Sequence, residues 1–462
     1  METYSFRCLI LLYTFIMTFC NGYAVAMTHF VDKNHNPIDD VIVDGNREIT
    51  RYEILKALDM GPDNIGTAIK VMRAVLPYFR EVKWRVVKKD NRRIAHIHVV
   101  EKGRIQYKRR PVIAFNRVHG WRLGIKTEAS VARNLRSPAL GKIFGEVSRG
   151  FSSGRWNYQL GVEHTGGWWK RYGLHIGTSI YRATDVRDRD ILPSNGEQVT
   201  AALFYGGDMR DYYQRSGSEI FLHWAAKNRR HFDLRLRDEY HSSLDKHSDW
   251  SFFSRKEPKQ DNLPITEGRL KSVMVSYSFN TLAKAGGWLN DFTVEHSNQR
   301  LSSDFHFTVG QMRLRYIYLA DNSFLNFRSK AGVSTNCLPI QRKFIIGGFG
   351  TLRGYRFREF MGDNLLLANV EFGRKTTFYG VFLVFFVDAG YVWDDSSPID
   401  FDDAKISPGI AIQFGGSRRD ADVNVRRNMI SISSGAFFRI NFAQALESGR
   451  KPIISTRLQW MF

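Results

Sequence analysis

Residues 452–462 read PIISTRLQWMF, and their alternation predicts a β-strand with one apolar face and one mostly polar face. The apolar face carries Ile454, Thr456, Leu458, Trp460 and Phe462. A half-buried strand of a soluble sandwich shows the same pattern. However, a long strand with an unpaired edge promotes aggregation unless it closes a barrel by pairing with the first strand. The segment therefore leaves two structures open, a soluble sandwich and a closed barrel.

The same residues resemble the C-terminal assembly signal of bacterial outer-membrane barrels. That signal has a final Phe, an aromatic residue two positions earlier, and apolar residues at alternate positions before it. Phe462, Trp460 and Leu458 match these positions. The resemblance implies that the three side chains form an assembly signal.

The N-terminal residues predict export. Arg7 precedes an apolar run of about thirteen residues, 8–20, which is short for a transmembrane helix and typical of a secretory signal. Ala24 and Ala26 supply the small residues that a cleavage site requires. We therefore expect residues 1–26 to be a signal peptide.

A lipoprotein signal at Cys20 is the alternative, but Thr18 and Phe19 are not the small residues that such a signal has before its cysteine. Both Cys8 and Cys20 lie in the predicted signal, so Cys337 is the only cysteine of the predicted mature chain. No internal disulfide is therefore expected, which excludes a disulfide scaffold.

Composition and charge narrow the class of protein. After the predicted signal, no apolar run reaches the length of a spanning helix, about 18 residues. Aromatic residues make up 14% of the chain and glycine occurs 38 times, which fits a membrane barrel with aromatic girdles. The formal net charge of +21 has two explanations. It arises from solvated loops and a polar lumen, or it attracts anionic lipid head groups or an acidic client. Nucleic acid is not an expected partner of an exported chain.

The length predicts two structural units, and residues 38–102 read as the first, a small α+β domain. An apolar strand at 40–43 and a turn at 44–46 precede two helices that Thr50 and Asn64 are expected to cap. Two alternating strands follow, which gives the order strand, helix, helix, strand, strand.

This order, together with two short motifs, resembles a POTRA (polypeptide-transport-associated) domain. The motifs are V-x-G-N at residues 43–46 and YFREV at residues 78–82. The resemblance implies a periplasmic domain that offers a strand edge to unfolded chains by β-augmentation. His96 and His98 lie on one strand face, but no third ligand follows nearby, so no metal site is predicted.

Residues 103–462 repeat one pattern, an alternating segment followed by a polar break. One example is Met312, Leu314 and Tyr316, interleaved with Arg313 and Arg315. A soluble sheet would place such arginines in water, whereas many long amphipathic strands without intervening helices favour a barrel that faces lipid. We predict strands near residues 120, 144, 160, 175, 203, 222, 235, 273, 292, 312, 329, 369, 385, 410, 437 and 457. The predicted fold is all-β dominated, with about sixteen antiparallel strands in a transmembrane β-barrel.

A glycine-rich segment lies between the strands predicted near residues 329 and 369. Residues 346–356 read IGGFGTLRGYR, in which the glycines allow close backbone packing. A phosphate-binding loop would need a following helix with Lys and Ser or Thr, and the sequence provides neither.

GGFGTLRGYR resembles the loop motif of the BamA/TamA superfamily, also called the bacterial surface antigen family. The matching residues are Gly347, Gly348, Gly350, Leu352, Arg353, Gly354 and Tyr355. In that family the loop folds back into the barrel, and its arginine pairs with acids on neighbouring strands. Glu371 and Asp388 stand at the matching positions, and alternation directs both inward. Residues 116–120, with Asn116, Arg117 and Gly120, resemble the start of the barrel in short members with one POTRA domain.

The resemblance implies an outer-membrane protein insertion or assembly factor that has no enzymatic activity and needs no cofactor. Its expected partners are unfolded outer-membrane or secreted polypeptides and the lipid bilayer, with anionic lipids as candidates. The weak seam would lie between the strands near residues 120 and 457. The alternative is a two-partner-type secretion pore that translocates one dedicated polypeptide, but residues 27–37 are too short for the plug helix of such pores.

An outer-membrane phospholipase is the third hypothesis. It would need a Ser-His pair with an orienting polar group on the lipid face. His223, His241 and His296 lie near serines in the sequence, but the chain has 13 histidines, so such proximity is expected by chance.

Overall fold

The computed structural model describes most of the chain after the predicted signal. The described residues are 30–32, 34–102, 105–132, 139–165, 173–187, 195–204, 206–226, 229–253, 259–283, 285–378, 380–394, 400–415, 422–426, 429–433 and 437–459. The signal peptide predicted for residues 1–26 lies outside them. The chain divides into two compact units, Met1–Gln106 with Ala132–Pro138, and Tyr107–Val131 with Ala139–Phe462.

The first unit is a three-stranded sheet with two helices. Its elements are β1 (Asp40–Asp44), α1 (Arg51–Asp59), α2 (Ile65–Val75), β2 (Phe79–Lys89) and β3 (Arg92–Glu101). The sheet order is β1-β3-β2, with β1 parallel and β2 antiparallel to the central strand. The element order agrees with the order predicted from the sequence.

Local side-chain contacts explain where the first helix begins. Thr50 and Glu53 form a capping box, in which the Glu53 carboxylate accepts a hydrogen bond from the Thr50 backbone at 2.9 Å. The Glu101 carboxylate fixes the preceding turn, because it accepts backbone hydrogen bonds from residues 47–49 at 2.8–2.9 Å. Leu58 and Met72 are fully buried between the helices and the sheet, so an apolar core holds the unit together.

The second unit consists mainly of strands. They are β4 (Ile105–Asn116), β5 (Gly120–Ala132), β6 (Ala139–Gly150), β7 (Trp156–His164), β8 (Leu174–Val186), β9 (Tyr212–Ala226), β10 (Arg230–Ser243), β11 (Gly268–Asn280), β12 (Gly286–Ser297), β13 (Phe307–Leu319), β14 (Ser323–Ser334), β15 (Phe344–Ile346), β16 (Phe360–Gly362), β17 (Asn364–Lys375), β18 (Val381–Trp393), β19 (Lys405–Gly415), β20 (Asp422–Arg426), β21 (Met429–Ser433), β22 (Phe437–Ala443) and β23 (Ile453–Gln459). A helix, α3 (Asn195–Phe204), lies between β8 and β9.

Sixteen of these strands form one sheet, as the sequence predicts. Its order is β23-β22-β19-β18-β17-β14-β13-β12-β11-β10-β9-β8-β7-β6-β5-β4. The four remaining short strands form two separate hairpins, β15 with β16 and β20 with β21. Within the described residues, β4 and β23 are the two edges of the sheet, and no ladder joins them.

The two faces of the sheet differ in the way that a lipid-facing sheet requires. On β17, the apolar side chains of Leu366, Val370 and Phe372 are exposed, whereas Asn369 and Glu371 are buried. We call the face that carries Glu371 the inner face. An apolar outer face and a polar inner face are the pattern of a membrane barrel. Among the helices that the structure describes, none is long and apolar enough to cross a membrane.

One of the sixteen predicted strands is wrong, and one real strand was missed. The segment near residue 203 is helix α3, because Glu, Gln, Ala and Leu favour a helix and Gln198 donates a hydrogen bond to Asp208 at 2.7 Å. The missed strand is β4, whose residues 108–111 read KRRP and resemble a linker. Proline is tolerated there because β4 is an edge strand. The first strand of the sheet is β4, and the strand that begins at residue 120 is its neighbour. The prediction that the strand near residue 120 forms one side of the seam is therefore also wrong.

Candidate functional site

The predicted motif lies in the connection between β14 and β17. We call residues 335–363 the motif loop. Its hairpin, β15–β16, is connected by residues 347–359, which begin with Gly347 at a φ of 116° and Gly348 at a φ of 87°. A Cβ atom on Gly347 would lie 2.3 Å from the carbonyl oxygen of Arg356. Glycine is therefore required where the loop turns back on itself.

Arg353 is buried and binds both predicted acids. Its Nε and one terminal nitrogen donate to the two Asp388 carboxylate oxygens at 2.8 and 2.6 Å. Its other terminal nitrogen donates to Glu371 Oε1 at 2.6 Å. The three side chains are 3%, 0% and 4% exposed for Arg353, Asp388 and Glu371. The guanidinium fork thus engages one carboxylate through two hydrogen bonds and a second acid through a third.

Further contacts fix the position of Arg353. The Arg353 backbone N–H donates to Asp388 at 3.0 Å, and the guanidinium carbon lies 3.4 Å from the centre of the Phe386 ring. Asn369 donates to Asp388 at 2.8 Å and to the Thr351 carbonyl at 2.7 Å. The loop is therefore attached to β17 and β18 through its backbone as well as through its arginine.

Glu371 extends this network to other strands. Its Oε1 also accepts a hydrogen bond from Arg439 on β22 at 3.1 Å, and its Oε2 accepts one from Asn326 on β14 at 3.1 Å. The Gly354 backbone N–H donates to Ser407 on β19 at 3.1 Å. The motif loop thus contacts β17, β18 and β19 directly, and through Glu371 it is linked to β14 and β22.

The other motif residues pack or turn. Leu352 and Tyr355 are 0% and 1% exposed and belong to an apolar cluster with Ile346 and Leu367. Gly350 lies in the turn that a hydrogen bond from the Thr351 backbone to the Gly348 carbonyl closes at 3.1 Å. Apolar packing and ion pairs therefore hold the motif loop together.

A second buried ionic cluster was not predicted from the sequence. Arg117, at the end of β4, donates to the Asp208 carbonyl at 2.8 Å and to Asp211 at 2.7 Å. Asp211 is 0% exposed and also receives Arg187 at 3.6 Å and Arg358 of the motif loop. The sequence motif around Arg117 drew attention to the arginine. Its acidic partners Asp208 and Asp211 lie more than ninety positions later in the chain, so the pairing could not be predicted. The motif loop is thus also attached to the turn that follows edge strand β4.

Lys259 lies beside this second cluster. Its Nζ lies 4.6 Å from the centre of the Phe115 ring on β4, and its backbone N–H donates to Asp249 at 2.8 Å. Burial lowers the pKa of the Lys259 ammonium group. The connection between β10 and β11 therefore covers the end of the edge strand with a buried cation.

The structure places only part of the predicted C-terminal signal. Leu458 lies on β23, opposite Phe438 of β22 in the ladder. Trp460 and Phe462 lie outside the described residues. The assembly signal therefore stays a prediction.

The histidines considered for catalysis have other partners. His223 contacts Asp233 at 3.0 Å, His241 contacts Glu239 at 3.1 Å, and His296 contacts Thr308 at 2.7 Å. Within the part of the chain that the structure describes, no group of three or more His, Cys, Asp or Glu side chains is arranged to hold a metal ion. In the first unit, His98 contacts Asp44.

Comparisons with known proteins agree with this architecture. The Omp85 superfamily domain matches residues 142–446, a span that includes the motif loop and both of its acids. A similar solved structure is BamA from Haemophilus ducreyi lacking POTRA domains 1–3, with a TM-score of 0.50 and 12% identity. That match covers 93% of this chain and 87% of the other.

Two CdiB structures are less similar. CdiB from Acinetobacter baumannii has a TM-score of 0.39 and 10% identity, and the match covers 91% of this chain and 73% of the other. CdiB from Escherichia coli has a TM-score of 0.41 and 11% identity, with 94% and 76% covered. No curated protein matches the chain. The domain match spans well over half of the sequence, and the chain therefore belongs to the Omp85 superfamily, a superfamily of outer-membrane insertion and secretion factors.

Proposed function

We propose that this chain is an outer-membrane protein insertion and assembly factor of the BamA/TamA class that works without catalysis. The observation that carries the proposal is that the sheet has two edges, β4 and β23, and that the motif loop shares acids with Arg439 on β22 and with Arg117 after β4. A client strand can enter a bilayer only if its backbone groups stay paired, because the hydrocarbon core offers no hydrogen bonds. Edge strands supply such pairing.

Edge strand β4 has the features of a template for client strands. Residues 105–111 at its start are all exposed. An exposed edge presents unpaired N–H and C=O groups, to which an incoming strand can add by β-augmentation. We infer that client hairpins pair with an edge of the sheet before they are released into the membrane.

The motif loop would keep the sheet closed until a client arrives. Arg353 of the loop binds Glu371, which also binds Arg439 on β22, the neighbour of edge strand β23. Arg358 of the loop binds Asp211, which also binds Arg117 directly after edge strand β4. The loop is therefore connected, through shared acids, to the strand beside one edge and to the end of the other edge strand. Release of Arg353 would loosen one of these connections.

The first unit would receive clients before they reach the sheet. We propose that residues 38–102 are a single POTRA-like domain in the periplasm, and that residues 103–462 form the barrel in the outer membrane. In the first unit, β1 and β2 are the edge strands. Their edges are available to unfolded outer-membrane or secreted polypeptides by the same β-augmentation. No cofactor is required, and anionic lipids are candidate partners of the basic chain.

Depletion of the protein, followed by proteomics of the outer membrane and of the medium, tests the function. Loss of several β-barrel proteins from the outer membrane is the result expected for an assembly factor. Loss of one secreted polypeptide, with the barrel proteins unchanged, would contradict it and favour a secretion pore. Complementation with Arg353→Ala should fail partly, whereas Arg356→Ala, an exposed arginine on the same loop, should restore the normal pattern.

A further inference from the structure

Four cations form a compact block on the inner face of β13 and β14. The register of the two strands places Arg313 directly opposite Lys330, and Arg315 directly opposite Arg328. We call these four side chains the cation block. Like charges directly opposite each other destabilise a sheet, and ionisable groups within membrane-spanning segments are costly and mark functional sites. Such a block therefore indicates a functional site of its own.

Among the residues that the structure describes, no carboxylate pairs with Arg315 or Arg328 of the block. Arg315 donates through Nε to the amide oxygen of Asn326 at 3.0 Å. The Nε of Arg328 is buried and has no hydrogen-bond partner in the described part of the chain. Within those residues, neither guanidinium lies within ion-pair distance of an acid, whereas Arg313 contacts Asp291.

The nearby acid is already engaged. Glu371 binds Arg353 at 2.6 Å and Arg439 at 3.1 Å, and its second oxygen accepts from Asn326. On the other side of this network, Arg439 lies directly opposite Arg457 in the β22–β23 ladder. In the described part of the chain, Arg315 and Arg328 are thus left without an acid in direct contact.

We propose that the cation block binds the carboxylates of an acidic segment of the client polypeptide, an inference that rests on the proposed function. Guanidinium forks bind carboxylates through paired hydrogen bonds. Arg313 and Arg315 are two residues apart on one strand, a spacing of about 7 Å, and alternate side chains of an extended peptide have the same spacing. Two rows of cations therefore fit an extended acidic segment better than a single small anion.

Binding of a labelled hexaglutamate peptide to the full chain in detergent tests the proposal. We expect fluorescence anisotropy to show binding, and the double variant Arg315→Gln/Arg328→Gln to weaken it by about tenfold or more. The matched control is Arg230→Gln/Arg374→Gln, which removes the same charge from two exposed arginines and should bind the peptide normally. The variant Arg315→Lys/Arg328→Lys keeps the charge and checks that the fold tolerates substitution. It should bind the peptide more tightly than the glutamine variant but less tightly than the unaltered chain, because lysine lacks the fork.

Two results would overturn the proposal. Equal weakening in the block variant and in the control variant would mean that only the total charge matters. Competition by inorganic phosphate at the same concentration as the peptide would mean that the block holds a small anion. The depletion experiment is independent of both results. Peptide binding by a chain whose depletion leaves other barrel proteins unchanged would keep the anion site and contradict the assembly function.

Discussion

The motif loop and the cation block both place arginines against the inner face of the sheet, but of Arg353, Arg315 and Arg328 only Arg353 of the motif loop is paired with acids among the described residues. Arg353 is 3% exposed and binds two carboxylates through three hydrogen bonds. Arg315 and Arg328 lie opposite each other, and no acid lies within ion-pair distance of either in the described chain. Both regions belong to the same half of the sheet and share Glu371 as a nearby acid.

This difference in pairing indicates a structural role for the motif loop and a binding role for the cation block. Breaking a buried ion pair by removing one partner is strongly destabilising, because the other charge stays buried and uncompensated. The ion pairs of Arg353 with Glu371 and Asp388 therefore hold the motif loop in place, and we call these three residues the structural lock. Arg315 and Arg328 are like charges that lie directly opposite each other, and such a pair lowers the stability of the folded sheet. Such a cost is typical of a site that awaits a ligand.

The largest expected effect comes from Arg353→Ala, which removes the central cation of the lock. Among the described residues, Asp388 would keep only Asn369 as a side-chain partner, while Glu371 would keep Arg439 and Asn326. We expect the docked motif loop to lose about 3–5 kcal/mol. A nitroxide label on Cys337, which is exposed in the motif loop, should become more mobile in the electron paramagnetic resonance spectrum.

Arg353→Lys is the matched comparison, because it keeps the charge but loses the fork that binds Asp388. Its label should show intermediate mobility. An unchanged spectrum in Arg353→Ala would mean that apolar packing alone holds the loop.

A smaller loss is expected from Asp211→Asn, which extends the comparison to the second ionic cluster. Asp211 is 0% exposed and is shared by Arg117, Arg187 and Arg358. Removing its charge leaves buried guanidinium groups uncompensated, and we expect a loss of about 3 kcal/mol in urea unfolding from lipid vesicles. Asp245→Asn changes the charge equally at an exposed position and should have no measurable effect. Equal effects of the two variants would show that the ionic cluster around Asp211 does not stabilise the fold.

Gly354→Ala tests whether close backbone packing contributes to the lock independently of charge. A Cβ atom there would lie 2.7 Å from the Ala445 backbone nitrogen and from Ser407 Cβ. Overpacking of this kind costs about 1–3 kcal/mol, so the loop should dock less tightly in the same label assay. Gly310→Ala is the control, because its nearest neighbour would be a Val333 methyl group at 3.8 Å. A spectrum of Gly354→Ala identical to that of the control would exclude a packing requirement.

The smallest effect, and one of opposite sign, is expected for Arg315→Gln. Removing one of two directly opposed cations should stabilise the ligand-free chain by about 0.5 kcal/mol, as urea unfolding in vesicles can measure. The glutamine can still donate a hydrogen bond to Asn326. A clear loss of stability would show that Arg315 has a structural partner and would weaken the case for a site.

The motif loop could be predicted from the sequence because GGFGTLRGYR is one continuous stretch that resembles a family motif. The glycines and Arg353 form one continuous motif, and strict alternation on β17 and β18 directs Glu371 and Asp388 inward. The sheet was also predictable in strand number, since each strand carries its own alternation. Helix α3 and strand β4 were not, because a short apolar run and a charged run with proline carry ambiguous patterns.

The two unpredicted charge clusters depend on pairing between distant positions. Arg117 and Asp211 are 94 positions apart and meet only in the folded chain. Alternation already placed Arg313 and Arg315 on one face, but the register of β13 against β14 decides that Arg328 lies opposite Arg315. A shift of one residue would have moved that partner to the other face.

Urea unfolding of Arg353→Gln and Arg328→Gln, measured side by side in the same vesicles, tests the central claim most directly. Both variants replace an arginine that lies at the inner face, one from the motif loop and one from β14, with the same neutral side chain, so the change in charge and size is identical. We predict opposite signs, with Arg353→Gln destabilised by about 3 kcal/mol or more and Arg328→Gln unchanged or slightly stabilised. Destabilisation of both variants by similar amounts would contradict the account, because it would mean that Arg328 is as firmly paired as Arg353.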